Sequence, residues 1–226
     1  MELSIDTSTD WGGVALSLEG RLVADLTWRA RQNQTVELAP NVKRLMEAAG
    51  VDFPSLKAIF VARGPGSYNG LRAGVSVAKG FAFSLKVPLI GVSTLEVEAY
   101  PFAFTLLPVN PIHDAGRGEI ATASYILHDR WQCLEEEHLT TLDELCRKTH
   151  DKTVFCGELN PDYASHIKKS LGEKAVVPDR QTCLRRPGNL AILGWQRLQE
   201  GKYDNPSTLQ PMYLRQPPIT LRKKKY

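Results

Sequence analysis

What the chain lacks narrows its chemistry first. Its 226 residues include four cysteines, Cys133, Cys146, Cys156 and Cys183, and no two form a C-x-x-C pair. That spacing argues against zinc ribbons and thioredoxin-type sites and fits a reduced compartment. Its five histidines are His113, His128, His138, His150 and His166, and no two stand four apart. The i, i+4 pair that lets one helical face share a metal is therefore missing, and no metal site is expected. Serines and cysteines have no His or Asp partner at a signature spacing, so no catalytic nucleophile is expected either. No run of roughly 18 apolar residues occurs, and no cationic leader precedes Leu3-Ser4-Ile5. The reading expects a cytoplasmic protein with no membrane association. Excess charge is also lacking. With 28 basic and 25 acidic residues the net charge is +3, too small to imply nucleic-acid binding by itself.

What is present looks like a soluble α/β protein. Hydrophobic residues make up 42% and charged residues 23%, and the length suits one large domain or two smaller ones. The most informative stretch runs from Arg63 to Arg72. Ala58-Ile59-Phe60-Val61-Ala62 reads as a buried parallel strand, Gly64-Pro65-Gly66 breaks it, and Ser67 is a good N-cap for a helix from Tyr68 to Leu85. Free amides at a helix N-terminus can bind phosphate. Yet no Lys-Ser or Lys-Thr follows the glycines, and Gly64, Gly66 and Gly70 do not give G-x-G-x-x-G. A tight turn bringing strand and helix together is the better reading.

The helix itself carries Leu71, Val75, Ala78, Ala82 and Leu85 on one stripe, with Gly74, Val77 and Phe81 beside it. Gly70, Gly74, Ala78 and Ala82 share an i, i+4 row, a shallow groove another backbone could approach. Interior helical glycine costs about 1 kcal/mol relative to Ala. Gly70, Gly74 and Gly80 are therefore expected to serve close packing, either inside this chain or at a subunit interface.

Along the chain, strands at 3–5, 14–18 and 22–28 precede an amphipathic helix near 34–49 with Leu38, Val42, Leu45 and Ala49 on one face. The strand at 58–62, the glycine-rich helix and a strand at 87–92 complete a β-β-β-α-β-α-β order. The second half repeats the plan. Its expected elements are a strand at 105–109, a turn over His113 to Gly118, strands at 119–127 and 131–139, a helix at 141–149, a strand at 153–156, a helix at 161–171, a strand at 175–177 and a helix near 188–200.

Gly-Pro-Gly-Ser-Tyr-Asn-Gly-Leu-Arg-Ala-Gly resembles the G-P-G-S-[FY]-T-G-L-R-[IV]-G signature of the TsaB (YeaZ) family, with Asn69 in place of the usual Thr. Those are bacterial proteins of tRNA threonylcarbamoyladenosine biosynthesis. Ile5-Asp6-Thr7-Ser8 resembles the family's opening I-D-T-S. Asp114-Ala115-Gly116-Arg117-Gly118-Glu119 is similar to its D-A-R-x-G-E, and Pro211-Met212-Tyr213-Leu214-Arg215 to its P-x-Y-L-R. Gly116 and Ala121 depart from the usual Arg and Tyr, which marks a divergent second half.

The resemblance implies two tandem ribonuclease H-like (actin/Hsp70-like) domains of β-β-β-α-β-α type. These are placed at 1–103, carrying the partner-binding helices, and at 104–226, with the last helix and tail able to return to the first domain. It implies a non-catalytic scaffold subunit without a cofactor. A TsaD-like transferase would pair with it and a TsaE-like ATPase would join, or a second copy would use the same helices. Docking is expected through Leu38, Val42, Leu45, Met46, Gly70, Leu71, Gly74, Val75, Val77, Ala78 and Phe81. Contact with tRNA is expected to be indirect or weak, although Arg215, Arg222, Lys223, Lys224 and Lys225 form a basic tail. The competing reading is a small actin-fold kinase or hydrolase with Asp6 and Asp114 as an acid/base couple across a cleft.

Overall fold

The computed structural model describes residues 1–30, 33–179 and 187–215. Cys183 and the basic stretch after Arg215 lie outside them. The first half contains β1 (Glu2–Asp6), β2 (Trp11–Leu18), β3 (Arg21–Arg29), α1 (Gln34–Ala48), β4 (Ala58–Ala62), α2 (Tyr68–Leu85) and β5 (Leu89–Val92). Its sheet runs β3-β2-β1-β4-β5, antiparallel through the hairpins and parallel from β1 to β5. The element order is the one the sequence predicts.

Strand alternation decides which residues meet which layer. Leu3 and Ile5 of β1, with Ile59 and Val61 of β4, point towards Leu38, Val42, Leu45 and Met46 of α1 and towards Val75, Ala78 and Ala82 of α2. The intervening Ala58, Phe60 and Ala62 of β4 face the opposite way, into a second cluster. The sheet is thus covered on both faces, which is why β4 reads as an unbroken apolar run.

The chain continues through α3 (Thr94–Ala99) and a 3-10 turn to β6 (Val109–Gly116), β7 (Glu119–Leu127), β8 (Trp131–Thr140), α4 (Leu142–Lys148), β9 (Thr153–Gly157), α5 (Pro161–Leu171), β10 (Ala175–Val176) and α6 (Pro187–Gln199). The second sheet runs β10-β9-β6-β7-β8, the first sheet's order read from its other edge. Val154 and Cys156 of β9 face α3, and Phe155 faces the layer holding Leu145, Cys146 and Ile167.

The two halves exchange helices. Although α3 follows the first sheet, its Leu95 and Ala99 pack with Val109, Ala123 and Val154 of the second. Although α6 follows the second sheet, its Leu190 and Leu193 join Phe60 and Ile90 of the first. Gly194 stands directly against the Phe60 ring, where a Cβ would overlap it. Beyond α6, Asp204 N–H donates to Leu89 O at 2.8 Å and Lys79 Nζ donates to Leu209 O at 3.1 Å. The segment from Asp204 to Arg215 is thereby strapped across β5 and α2.

One boundary needs correction. The first strand of the second half is at 109–116, not 105–109, because Tyr100–Thr105 is a 3-10 turn. His113 and Asp114 accordingly lie within β6, and the turn is confined to its end, where Gly116, Arg117 and Gly118 all have positive φ.

Candidate functional site

The Arg63–Arg72 stretch is a junction of four chain segments. Ser67 N–H donates to Ser8 O at 2.6 Å, joining the loop to the β1–β2 turn. Thr94 N–H donates to Gly64 O at 2.8 Å, and Gly64 N–H donates back to Thr94 Oγ1 at 3.2 Å. Met212 N–H donates to Arg63 O at 2.6 Å, bringing in the strap. Gly64 has φ 118°, and a Cβ there would lie 2.5 Å from Met212 O; a Cβ on Gly66 would overlap Ser8 O. Glycine is required at both places because another backbone already occupies the space.

A cleft of about 400 Å³ opens beside this junction, between the two halves. Ser8, Thr9 and Asp10 line one side, His113 and Asp114 the other, and Met212 to Arg215 run along it. Tyr213 stacks obliquely on Tyr68 with ring centroids 5.2 Å apart and accepts from Arg72 Nε at 3.1 Å. Arg215 pairs with Glu119 and donates to Ala115 O at 3.2 Å, so the strap reaches the second half.

Asp114 lines this cleft, whereas Asp6 lines a separate small pocket with Trp11, Gly12 and Thr27. Asp6 is 4% exposed, and its Oδ1 accepts from Ser8 N–H at 3.1 Å and Ser8 Oγ at 2.5 Å. It fixes the β1–β2 turn from beneath. Asp114 does line the cleft, accepting from Gly116 N–H at 2.8 Å. Burial, assisted by the Asp114 carboxylate, raises the Tyr163 pKa.

Comparison with known proteins decides the family. The family described as TsaD: tRNA N6-adenosine threonylcarbamoyltransferase matches residues 28–220. A protein of Escherichia coli (strain K12), named tRNA threonylcarbamoyladenosine biosynthesis protein TsaB, is 37% identical over 94% of this chain and 94% of its own. The protein of that name from Bacillus subtilis (strain 168) is 31% identical over 94% of this chain and 93% of its own. The chain belongs to the TsaB (YeaZ) family. YeaZ from Pseudomonas aeruginosa superposes with a TM-score of 0.79 at 25% identity, covering 94% of this chain and 99% of that one. A ROK hexokinase from Thermus thermophilus superposes at 0.52 with 10% identity, covering 88% and 99%, and shows the shared actin-like fold alone. Two tandem ribonuclease H-like units are therefore the architecture of this TsaB-family chain.

Within that fold, the residues expected to meet a partner mostly face inward. Leu38, Val42, Leu45, Met46, Gly70, Leu71, Gly74, Val75 and Ala78 are buried in this chain; Val77 and Phe81 are part-buried at the edge of the same core, where Phe81 stacks on Phe53. The glycine row meets Thr7. A Cβ on Gly70 would overlap Thr7 O, one on Gly74 would overlap Thr7 Oγ1, and Thr7 Oγ1 donates to Gly70 O at 2.7 Å. Apolar periodicity marks a covered face without saying what covers it; here the β1–β2 turn and the sheet do so.

The outward faces carry different residues. On α1 these include Val36, 74% exposed, with Pro40, Lys43 and Arg44; on α2 they include Asn69, Arg72, Ser76, Gly80 and Phe83, 76% exposed. A Cβ on Gly80 would meet nothing within 4 Å.

Sequence reasoning missed a buried pair at the cleft wall. Glu98 of α3 and His113 of β6 stand 2.5 Å apart, Oε2 to Nε2, and each side chain is 5% exposed. The signal was visible as Glu98 flanked by the apolar Val97 and Ala99. Among the described residues, no group of three or more His, Cys, Asp or Glu is placed to hold a metal ion. Nor, among them, is any helix long and apolar enough to cross a membrane.

Proposed function

We propose that this chain is a non-catalytic scaffold subunit for tRNA N6-threonylcarbamoyladenosine biosynthesis. It acts in the cytoplasm without a cofactor and supports a TsaD-like transferase subunit, with a TsaE-like ATPase joining the pair. The observation that carries this reading is the match, over 94% of both chains, to a protein named for that biosynthesis. Docking uses the outward faces of α1 and α2, including Val36, Gly80 and Phe83, since the inner faces are committed to the core. The exposed apolar side chains offer area to bury, and Gly80 admits close backbone approach. A second copy of the chain would use the same faces when the partner is absent. Contact with tRNA is made chiefly through the partner.

The test is reconstitution of tRNA modification from purified subunits. Modification should require this chain together with the transferase and ATPase subunits, while the chain alone neither hydrolyses ATP nor cleaves protein. Turnover of Mg-ATP by the isolated chain, abolished by Asp114→Ala, would instead favour an actin-fold enzyme.

A further inference from the structure

The outer face of α2 carries a charge that the fold has already fixed in place. Arg72 is exposed, and its guanidinium carbon lies 3.9 Å from the centroid of the Tyr68 ring on the same helix. Its Nε donates to Tyr213 OH at 3.1 Å, and the Tyr213 ring is tilted against Tyr68 with centroids 5.2 Å apart. Tyr213 is held from both sides, by Met212 N–H on Arg63 O at 2.6 Å and by Arg215 on Glu119. No carboxylate among the described residues pairs with Arg72. An exposed arginine ordinarily gains little from an ion pair, because confining its long side chain costs entropy. Here the two rings confine it beforehand, so an arriving carboxylate meets a fixed fork.

The surroundings decide which anion suits it. Arg72 and Phe83 lie on one face of α2, about three turns and roughly 16 Å apart along the axis. The helix has no acidic residue, and its other cation, Lys79, is engaged by Ser207 O and Leu209 O of the strap. A nucleic-acid backbone is held by several cations that neutralise successive phosphates. A single fixed arginine beside exposed apolar side chains has the composition of a protein interface instead. The docking face of a second copy offers no spare acid, since Glu47, the one exposed acid of α1 and α2, pairs with Lys43 at 3.6 Å.

We propose that Arg72, fixed by Tyr68 and Tyr213, is the recognition site on this face for a carboxylate side chain of the transferase subunit. The site rests on the docking role of α1 and α2 proposed above and adds to it the charge of the matching surface. The carboxylate accepts from the Nη groups, and Tyr213 is the positioning residue.

The experiment measures the affinity of the full-length chain for the purified transferase subunit, with melting of every variant. Arg72→Gln should weaken the complex at least about tenfold with unchanged melting. Arg72→Lys keeps the charge without the fork and should recover only part of the loss. Tyr213→Ala should weaken it with Arg72 in place, and Tyr213→Phe should do so less. Wild-type affinity should fall as salt rises from about 0.05 M to about 0.5 M, and that of Arg72→Gln should fall less steeply. Undiminished affinity of Arg72→Gln, or equal salt slopes, would overturn the proposal; if Arg72→Gln fails to fold, Arg72→Lys decides alone. Phe83→Asp separates this site from the docking reading. Loss for Phe83→Asp alone leaves the docking faces standing and removes the site, whereas loss for neither variant removes both. Weakened tRNA retention by Arg72→Gln with unchanged affinity for the transferase subunit would assign the arginine to phosphate and overturn the proposal.

Discussion

Gly74 and Gly80 share one helix and meet opposite surroundings. Because Gly74 lies against Thr7, even one methyl group is overpacking, and Gly74→Ala should destabilise the isolated chain by about 1–3 kcal/mol despite the better helix propensity of Ala. Gly80→Ala should instead stabilise it by up to about 1 kcal/mol, since its Cβ enters open space. Denaturant unfolding of the two variants checks both signs. The Glu98–His113 pair makes a second residue-scale case. Breaking a buried ionisable pair is costly, so Glu98→Ala should destabilise the chain by about 3–5 kcal/mol, while replacing both residues by apolar ones should recover much of that. Equal losses for the single and double changes, read by the same unfolding, would contradict the pairing. Glu96 gives a pH dependence. Burial holds its carboxyl above the usual range, so the folded chain keeps a proton that the unfolded chain has released. Folded protein then binds more protons, and stability falls as pH rises from about 4.3 through the folded value. Melting between about pH 4 and pH 7 should show this fall flattened in Glu96→Gln; an unchanged slope would contradict it.

Elements were legible where a single period governs them. The hairpins, α1, α2 and the strands of the first half follow from alternation, apolar stripes and glycine punctuation, and the structure keeps that order. Reading went astray at residues 93–109, where Leu106-Leu107-Pro108-Val109 resembles a strand yet only Val109 enters one. The helix α3 was also passed over, although Ser93 and Glu96 give a capping-box spacing and Ser93 Oγ accepts from Glu96 N–H at 3.5 Å. The expected docking residues are a different case, since most of them are buried in this chain. A stripe of Leu, Val and Ala is the same whether a sheet of this chain or another subunit covers it; the outer face is the one with exposed Val36 and Phe83 and open space around Gly80. An interface test therefore belongs on that side. Gly80→Leu and Phe83→Asp should each weaken partner binding roughly 5- to 150-fold, the equivalent of about 1–3 kcal/mol, with melting of the isolated chain nearly unchanged.

At the scale of the whole molecule, two equivalent sheets are joined by exchanged helices, the Glu98–His113 pair and a strap that ends on Arg215 and Glu119. The duplication was legible in element order because each half needs the same layers to cover its sheet. The cleft and the packing partners of α3 and α6 were not, since each brings together residues distant in sequence. The outer faces of α1 and α2 are the proposed route by which the molecule contributes. The most direct measurement is reconstituted tRNA threonylcarbamoylation with wild-type chain, Gly80→Leu and Phe83→Asp, each titrated against fixed transferase and ATPase subunits. Wild type should be required, and both variants should need more protein for half-maximal modification, by the same factor as their loss of partner affinity. Full modification without the chain, or unshifted titrations by both well-folded variants, would contradict it.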